Sequence, residues 1–323
     1  MKSSKKYINS DIHKKKFNIL EFLNKNEKSL KIFIIIILSL LSTLIIKSNK
    51  SSIKVAMCTI AKKENRYIKY FVEFYKNLGY DHIYFYDNND PGDESISDLQ
   101  IVKEGIKEGF ITIIIYNNIK YPVTKSYYDC YEKYSKYYDW ISFIDIDEYL
   151  ILKPNNSTIQ EFLGNPRLND CDLVKFNWRV FTDNDQLDWI DEPLMKRFPI
   201  ETNYKHENRH VKSIIRGGLN YSLYKKNYSP HSIYNGIKAC SSSGIKTGNR
   251  YYFWPPDFKF AYLNHYVTKS VREFFYKKYK TKVNVDTIPE KKKKNLFNYF
   301  FKVNKKTKKK VDIFNAIYHT KYK

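Results

Sequence analysis

From residue 53 onward, apolar runs with strand periodicity alternate with segments of helical periodicity. The predicted strands are 53–61, 82–87, 110–116 and 140–152, and the predicted helices are 64–78 and 123–138. Gly79 follows the first helical segment, where a helix C-terminal cap is expected. Strands that alternate with helices of this length favour a parallel sheet covered on both faces, which is an α/β fold. Beyond it, 174–181 resembles a strand and 269–280 a helix.

Residues 32–46 are apolar throughout, interrupted only by Ser and Thr. This run is shorter than the roughly 20 residues that usually cross a bilayer, but the flanking Lys31 and Lys47 extend its reach. No polar stripe marks a solvent face, and the charged lead-in is long for a signal peptide, so both alternatives are disfavoured. We therefore expect a basic cytosolic tail at 1–31, a transmembrane anchor at 32–46 and a short stem at 47–54.

Lys and Arg flank both sides of this segment, with nine before it and six from Lys47 to Arg66. This bias places the N-terminus in the cytosol and the following domain in the lumen. We expect a single-pass type II protein of the Golgi or endoplasmic reticulum, or of a host membrane if the chain is viral. The sequons at Asn155, Asn156, Asn220 and Asn227 fit luminal glycosylation, although an Asn-rich chain also forms sequons by chance.

The formal net charge of +23 raises the possibility of nucleic-acid binding. Most of the excess, however, lies in 1–31 and 281–323, outside the predicted α/β segment. The chain has 49 Lys and only 8 Arg, and Arg is the side chain that reads phosphates and guanine edges in a bidentate manner. We expect no nucleic-acid partner, and interpret 281–323 as a basic C-terminal tail, solvated rather than membrane-bound.

The segment Phe143-Ile-Asp-Ile-Asp-Glu-Tyr149 carries the strongest chemical signal. On a strand, Asp145 and Asp147 would project from one face, and the preceding apolar residues would bury that strand. The pair would emerge at the carboxyl end of the strand, where α/β sheets bind ligands. Two carboxylates at this spacing suit Mn²⁺ or Mg²⁺. A plain strand end or helix cap is the alternative, and the Tyr149 position does not fit a haloacid-dehalogenase-type phosphatase, which carries Thr or Val there.

Other residues offer weaker signals. Asp87 ends the second predicted strand before a turn, and it can bind a base or ribose as readily as it can shape the turn. His265 and His231 can each complete a metal site or pack structurally. Lys212 and Arg216 can bind phosphates. Of the four cysteines, Cys58 is expected as a buried thiol, and the other three can include one disulfide in a luminal domain.

Several blocks in order resemble glycosyltransferase family 92 and related family-2-like glycosyltransferases, which have the GT-A fold. The resemblance covers about 55–280, and its most specific part is FIDIDEYL. The other matching blocks are VAMCTIAKKE, NLGYDHIYFYDNND, YDC at 128–130 before Trp140, NWRVF at 177–181, KRF at 196–198, HVKSIIR at 210–216, His231, and NHYVTKS at 264–270 with Glu273, Phe274 and Lys277. Two positions depart from the family pattern: Lys63 replaces an Asn, and 181–185 lacks the usual glycines.

The resemblance implies a single GT-A (Rossmann-like) domain at 55–280. It also implies a metal-dependent hexosyltransferase that uses a nucleotide-sugar, a UDP-sugar in particular, and a glycan or glycoconjugate acceptor, with inversion. Asp145, Asp147 and His265 would hold the metal. The donor would contact Asp87, Asp145, Lys63, Glu64, Lys212 and Arg216. Asp183 and Asp185 are candidates for the catalytic base. A catalytically silent GT-A domain that binds a glycan or a partner is the alternative.

Overall fold

The structure, a computed structural model, describes residues 53–154, 157–219, 237–248, 252–280 and 290–319, together with Ile35 and Ile37. The chain divides into two units, Met1–Ser52 and Ile53–Lys323. The predicted anchor at 32–46, apart from the two isoleucines, lies outside the described residues, as do the four sequon asparagines and His231. Among the helices that are described, none is both long and apolar enough to cross a membrane.

The second unit is built on a curved mixed sheet. Its strands are β1 Val55–Ala61, β2 His82–Asp87, β3 Ile111–Ile115, β4 Trp140–Phe143, β5 Glu148–Leu152, β6 Leu173–Val180, β7 Val211–Arg216, β8 Ala239–Ser241 and β9 Ala261–His265. They are ordered β3-β2-β1-β4-β7-β6-β9-β5, and β8 pairs with β6. The first four strands are parallel, whereas β7 joins β4 antiparallel. The mixed α/β class predicted from the alternating pattern is confirmed.

Helices cover the parallel part of the sheet. They are α1 Asn65–Leu78, α2 Gln100–Lys107 and α3 Pro122–Tyr134, with short α4 Ile159–Leu163 and α5 Leu194–Arg197 further along. Helix α1 buries five apolar side chains at helical spacing, and Gly79 ends it in the left-handed conformation that glycine adopts without steric cost. Tyr67, Ile68 and Phe71 of that apolar stripe belong to the main core beside β1.

The predicted strand at 140–152 is wrong as one element, because the structure divides it. Strand β4 ends at Phe143, a turn follows, and β5 begins at Glu148 and pairs with β9 rather than with β1. The pattern hid this turn because Ile144 and Ile146 within it are fully buried, just as strand residues would be. The turn is where the chain leaves the parallel sheet for its far edge.

Two disulfides connect separate parts of this unit. Cys58 on β1 is bonded to Cys130 on α3, and Cys171 is bonded to Cys240 on β8. The expectation that Cys58 is a buried thiol is therefore wrong. The spacing of four cysteines does not specify their pairing, which depends on which elements the fold brings together.

Among the described residues after β9, three α-helices follow: α6 Val271–Phe275, α7 Glu290–Val303 and α8 Lys308–His319. Phe300 of α7 and Phe314 of α8 are buried against Phe274 and Phe275 of α6. The structure therefore differs from the solvated tail expected at 281–323. Residues 290–319 form a helical pair whose aromatic face packs onto the domain while most of its lysines face solvent.

Candidate active site

Asp145 and Asp147 lie in the turn between β4 and β5. The backbone N–H of Asp145 donates to the Glu148 carboxylate at 3.0 Å, and the N–H of Glu148 donates to the carbonyl of Asp145 at 3.0 Å, which closes the turn. Ile144 and Ile146 alternate with the two aspartates and are buried in the main core. The aspartate side chains therefore emerge away from the core at the carboxyl edge of the sheet, as the sequence predicted, although not from a strand.

Asp145 is held from two neighbouring elements. Lys212 on β7 donates to its Oδ2 at 2.8 Å, and the Tyr127 hydroxyl on α3 donates to its Oδ1 at 2.9 Å. Burial raises the pKa of Asp145, but the Lys212 and Lys277 ammonium groups together outweigh it and lower the pKa. The Asp145 side chain remains 37% exposed, so this carboxylate is ionised, fixed in orientation and accessible to a ligand.

Asp147 lies deeper and carries two ammonium partners. Lys269 and Lys277 each donate to its Oδ2 at 2.8 Å, and only 3% of its side chain is exposed. Burial opposes ionisation here as well, but the two lysines hold the pKa of Asp147 well below its usual range. Lys277 also reaches the Glu64 carboxylate at 2.8 Å, so one ammonium joins the segment after β1 to the turn after β4.

His265, the last residue of β9, faces the other oxygen of Asp147. Its Nε2 lies 3.7 Å from Asp147 Oδ1, and its buried Nδ1 has no hydrogen-bond partner among the described residues. Burial lowers the pKa of His265 to about 3, so the imidazole is neutral and retains a lone pair. A nitrogen and an oxygen at this separation can both ligate one divalent cation, which takes ligands at about 2.0–2.2 Å.

The described residues contain no group of three or more His, Cys, Asp or Glu side chains placed to hold a metal. Asp147 and His265 fit as a partial site, because Mn²⁺ and Mg²⁺ commonly complete their coordination with water and substrate phosphates. Asp147 Oδ2 is bonded to lysines, which leaves Oδ1 as the oxygen that faces His265.

A cleft opens beside this cluster at the carboxyl ends of β1 and β2 and the start of α3. Its volume is about 590 Å³, within the range of small-ligand sites. Glu64, Asp145 and Lys277 line it, so the ionic cluster forms part of its wall. The remaining lining residues come from the end of β1, the start of α3, the loops beside them and the segment after α6: Ile60, Ala61, Lys62, Asn88, Asp90, Asn118, Ile119, Pro122, Val123 and Lys278. This chemistry, with lysines and carboxylates above a sheet edge, suits an anionic ligand with hydroxyl groups.

Asp87 and Lys63 lie close to this cleft but outside its lining. The Asp87 carboxylate is buried and accepts hydrogen bonds from the backbone of Asn89 at 3.0 Å and of Ile96 at 2.9 Å. It therefore fixes the loop that places Asn88 in the cleft wall. Lys63 is paired with Asp93 at 3.0 Å. Both residues shape the loops after β1 and β2 in this structure.

Arg216 does not join the cluster. It lies opposite Trp140, at the amino end of β4 and away from the turn that bears the aspartates. Its guanidinium stacks over the Trp140 ring at 4.4 Å and donates to the carbonyl of Cys171 at 2.8 Å. In this structure Arg216 stabilises the loop that contains Cys171.

Asp183 and Asp185 meet Lys310 of α8. The Lys310 ammonium lies 2.7 Å from Asp183 Oδ2 and 2.7 Å from Asp185 Oδ1. Lys310 and Asp183 are almost completely buried, while Asp185 is largely exposed. The structure therefore places both carboxylates in an ion cluster that attaches the C-terminal helices to the loop after β6.

Tyr127 and Glu148 belong to the site but were not identified from the sequence. Burial raises the pKa of Glu148 to about 8, and this carboxyl group sits 3.7 Å from Lys212. Glu148 follows the aspartate pair directly, so its position was a usable signal. Nothing in the spacing distinguishes Tyr127 from the other tyrosines of the chain.

Comparison with known proteins identifies the family. The sequence model of glycosyltransferase family 92 matches residues 51–310, and the chain belongs to that family. It is therefore a glycosyltransferase, and the resemblance seen in the sequence is confirmed. A search of curated proteins gave no match.

Solved structures show only distant likeness. A crystal structure of S. aureus TarS shares 11% identity, covering 82% of this chain and 43% of that chain, with a TM-score of 0.33. The structure of S. aureus TarS 1-349 in complex with UDP shares 14% identity over 54% of this chain and 48% of that one, with a TM-score of 0.30. The chain thus spans less than half of these TarS chains, and such TM-scores are too low to identify a shared fold.

Proposed function

We propose that this glycosyltransferase has a GT-A-type domain and transfers a hexose from a nucleotide-sugar to a hydroxyl group of a glycan or glycoconjugate. A UDP-sugar is the proposed donor, Mn²⁺ or Mg²⁺ the proposed cofactor, and inversion the proposed stereochemical course. The observation that supports this most is the cleft of about 590 Å³ whose wall contains Asp145 and Lys277, at the carboxyl edge of the parallel strands.

The donor would lie in this cleft with its diphosphate towards the lysines. Lys277, Lys62 and Lys278 supply cations along the cleft wall, and an ammonium near a diphosphate stabilises its negative charge. Asp145, fixed by Tyr127 and Lys212, would accept hydrogen bonds from the ribose or sugar hydroxyls.

Asp147 and His265 would hold the divalent cation, with Asp145 near it. A bound cation of this kind neutralises a departing diphosphate. The neutral imidazole of His265 suits this role, since a protonated ring could not ligate.

We further propose that the domain lies in an oxidising compartment, with the chain as a type II membrane protein of the Golgi or endoplasmic reticulum. The two disulfides support this placement, because disulfides are rare in proteins of the cytosol. The 15 apolar residues at 32–46 are the proposed anchor.

The proposal is tested by incubating the full chain with a panel of nucleotide-sugars, with and without Mn²⁺, and measuring release of the nucleoside diphosphate. We expect release from a UDP-sugar that depends on Mn²⁺. Asp147→Asn should abolish this release, while UDP binding is followed separately by calorimetry. Asp170→Asn, a change at an exposed aspartate, is the matched control and should behave like the unmodified chain.

Full Mn²⁺-dependent turnover by Asp147→Asn would contradict the assigned role of the aspartate pair. Binding of UDP without turnover in the unmodified chain would instead favour a catalytically silent domain.

A further inference from the structure

A second cleft, of about 550 Å³, lies between α7 and the turn that precedes β7. Tyr204, Glu207 and Tyr299 line it, together with Lys292, Asn295, Leu296, Asn298 and Lys302. Flat aromatic rings, amides and a carboxylate are the groups that bind a polyhydroxylated ring, since they combine apolar faces with hydrogen-bond donors and acceptors. The rings, amides and carboxylate of this cleft therefore suit a sugar, and Lys292 and Lys302 add two positive charges to its wall.

A row of packed rings links this second cleft to the ion cluster around Asp147. The ring of His265 lies 4.2 Å from the ring of Trp178, which in turn lies 5.2 Å from the ring of His210. His210 Nε2 is 3.8 Å from the Glu207 carboxylate. A continuous row of packed side chains therefore connects Asp147 to Glu207.

Tyr299 supports the same proximity. Burial raises the pKa of its hydroxyl, and the negative charges of Glu207 and then Asp147 raise that pKa further. One hydroxyl can experience both carboxylates only if it lies near both. The Tyr299 hydroxyl, on the wall of the second cleft, therefore lies within the electrostatic reach of Asp147.

Glu207 differs from the carboxylates of the two ion clusters described above, at Asp147 and at Asp183. Each of the others has a lysine ammonium within 4 Å: Glu64, Asp145, Asp147, Glu148, Asp183 and Asp185. The contacts recorded for the Glu207 carboxylate within the described part of the chain are instead His206 and His210, both at 3.8 Å. Its side chain is 17% exposed, so it is sheltered yet open to the cleft.

We propose that the second cleft binds the acceptor sugar and that Glu207 is the catalytic base, in place of Asp183 and Asp185. This rests on the proposed transferase function. The acceptor hydroxyl oxygen attacks the anomeric carbon of the donor, and the new C–O bond forms as the bond from that carbon to the diphosphate oxygen breaks. The nucleoside diphosphate leaves with the electron pair, and the hydroxyl proton passes to the Glu207 carboxylate. A carboxylate already bonded to an ammonium is a poorer base, because the ammonium favours its ionised form.

The test compares two nucleophiles in Glu207→Gln, with Glu132→Gln, an exposed surface change, as the control. The donor is the UDP-sugar that the unmodified chain hydrolyses, and the acceptors are a panel of methyl glycosides. Transfer to the best methyl glycoside should fall by about 100-fold or more in Glu207→Gln, as expected for loss of a general base. Formation of glycosyl azide from sodium azide should stay at the unmodified rate, because azide has no proton to lose. The UDP dissociation constant should also be unchanged.

Retention of hydroxyl transfer by Glu207→Gln overturns the proposal, and so does an equal loss of glycosyl azide formation, which indicates a structural role. Tyr299→Phe and Tyr204→Ala provide the acceptor-side readout. Each should raise the KM for the methyl glycoside while leaving UDP binding unchanged, and an unaltered KM in both contradicts the assignment of the cleft. Absence of donor turnover in the unmodified chain would overturn the proposed function itself, and the role of Glu207 with it.

Discussion

Replacing Lys310 by methionine tests how firmly the C-terminal helices are attached to the domain. The Lys310 ammonium contacts the carboxylates of Asp183 and Asp185 at 2.7 Å each, and its side chain is 1% exposed. Methionine keeps the length and apolar stem of the side chain but removes the charge. Asp183, with 2% of its side chain exposed, would be left as a buried carboxylate without a cation.

The expected loss in the free energy of unfolding is about 3–5 kcal/mol, the usual effect of removing one partner of a buried ion pair. Asp185 adds little to this figure, since 63% of its side chain is exposed and exposed pairs contribute about 1 kcal/mol or less. A loss of this size is a large part of the roughly 5–15 kcal/mol that stabilises most domains.

Urea denaturation of the full chain, followed by tryptophan fluorescence, measures the loss. Lys309→Met, an exposed neighbour, is the control and should change stability by no more than about 0.5 kcal/mol. The double variant Lys310→Met with Asp183→Asn removes the uncompensated charge and should regain much of the stability. A loss below about 1 kcal/mol in Lys310→Met is the size expected for an exposed ion pair, and it would contradict the buried pairing of Lys310 with Asp183.

The same variant has a defined pH dependence. Burial raises the pKa of Asp183 even with Lys310 present, and removing the ammonium raises it further. A carboxyl group whose pKa is higher in the folded state binds protons more readily when folded, so stability rises as the pH falls through that range. The defect of Lys310→Met should therefore shrink between pH 7 and pH 4, and an unchanged defect at the lower pH would contradict the burial of Asp183.

Three further outcomes are expected. Replacing Cys171 and Cys240 together by alanine should lower the free energy of unfolding by about 4 kcal/mol in non-reducing buffer, because that disulfide joins residues 69 apart; equal urea midpoints would count against the bond. Burial lowers the pKa of Lys175 to about 8, so the unfolded state binds the Lys175 proton more tightly than the folded state does. The free energy of unfolding should therefore rise from pH 8 to pH 10 relative to that of Lys175→Met. The same pH dependence in both proteins, measured by urea titration, would contradict the burial of this ammonium. Gly105→Ala should lower the thermal midpoint, although alanine favours helices, because its Cβ would lie 2.5 Å from Ile111 Cδ1; Ile111→Val should reduce that loss.

The sequence predicted the elements whose periodicity reports burial directly. Strands β1 and β2 and helix α1 lie within about two residues of their predicted bounds, because their buried faces are continuous and local turn residues end them. The place of Asp145 and Asp147 at a strand terminus followed from the same logic. The turn between β4 and β5 was not predicted, because its isoleucines are as buried as those of a strand.

The partners of the aspartates could not be predicted in this way. Lys212 reaches Asp145 from 67 residues further along the chain, and Lys277 reaches Asp147 from 130 residues further. Such contacts depend on the antiparallel placement of β7 and on the course of the chain after β9, which no local pattern encodes. The lysine-rich composition also obscured the apolar face of α7 and α8, of which the sequence indicates only a short amphipathic piece at 296–303.

Helix α6 shows how these distant contacts act together. Lys269 precedes it and Lys277 follows it, so its position determines whether both ammoniums reach Asp147. Two buried contacts fix that position: Glu273 is bonded to Arg197, with both side chains almost fully buried, and Phe275 packs against Phe314 of α8. The C-terminal helices therefore support the charge balance of the aspartate turn through α6, so damage to their aromatic face should weaken donor binding before it unfolds the sheet.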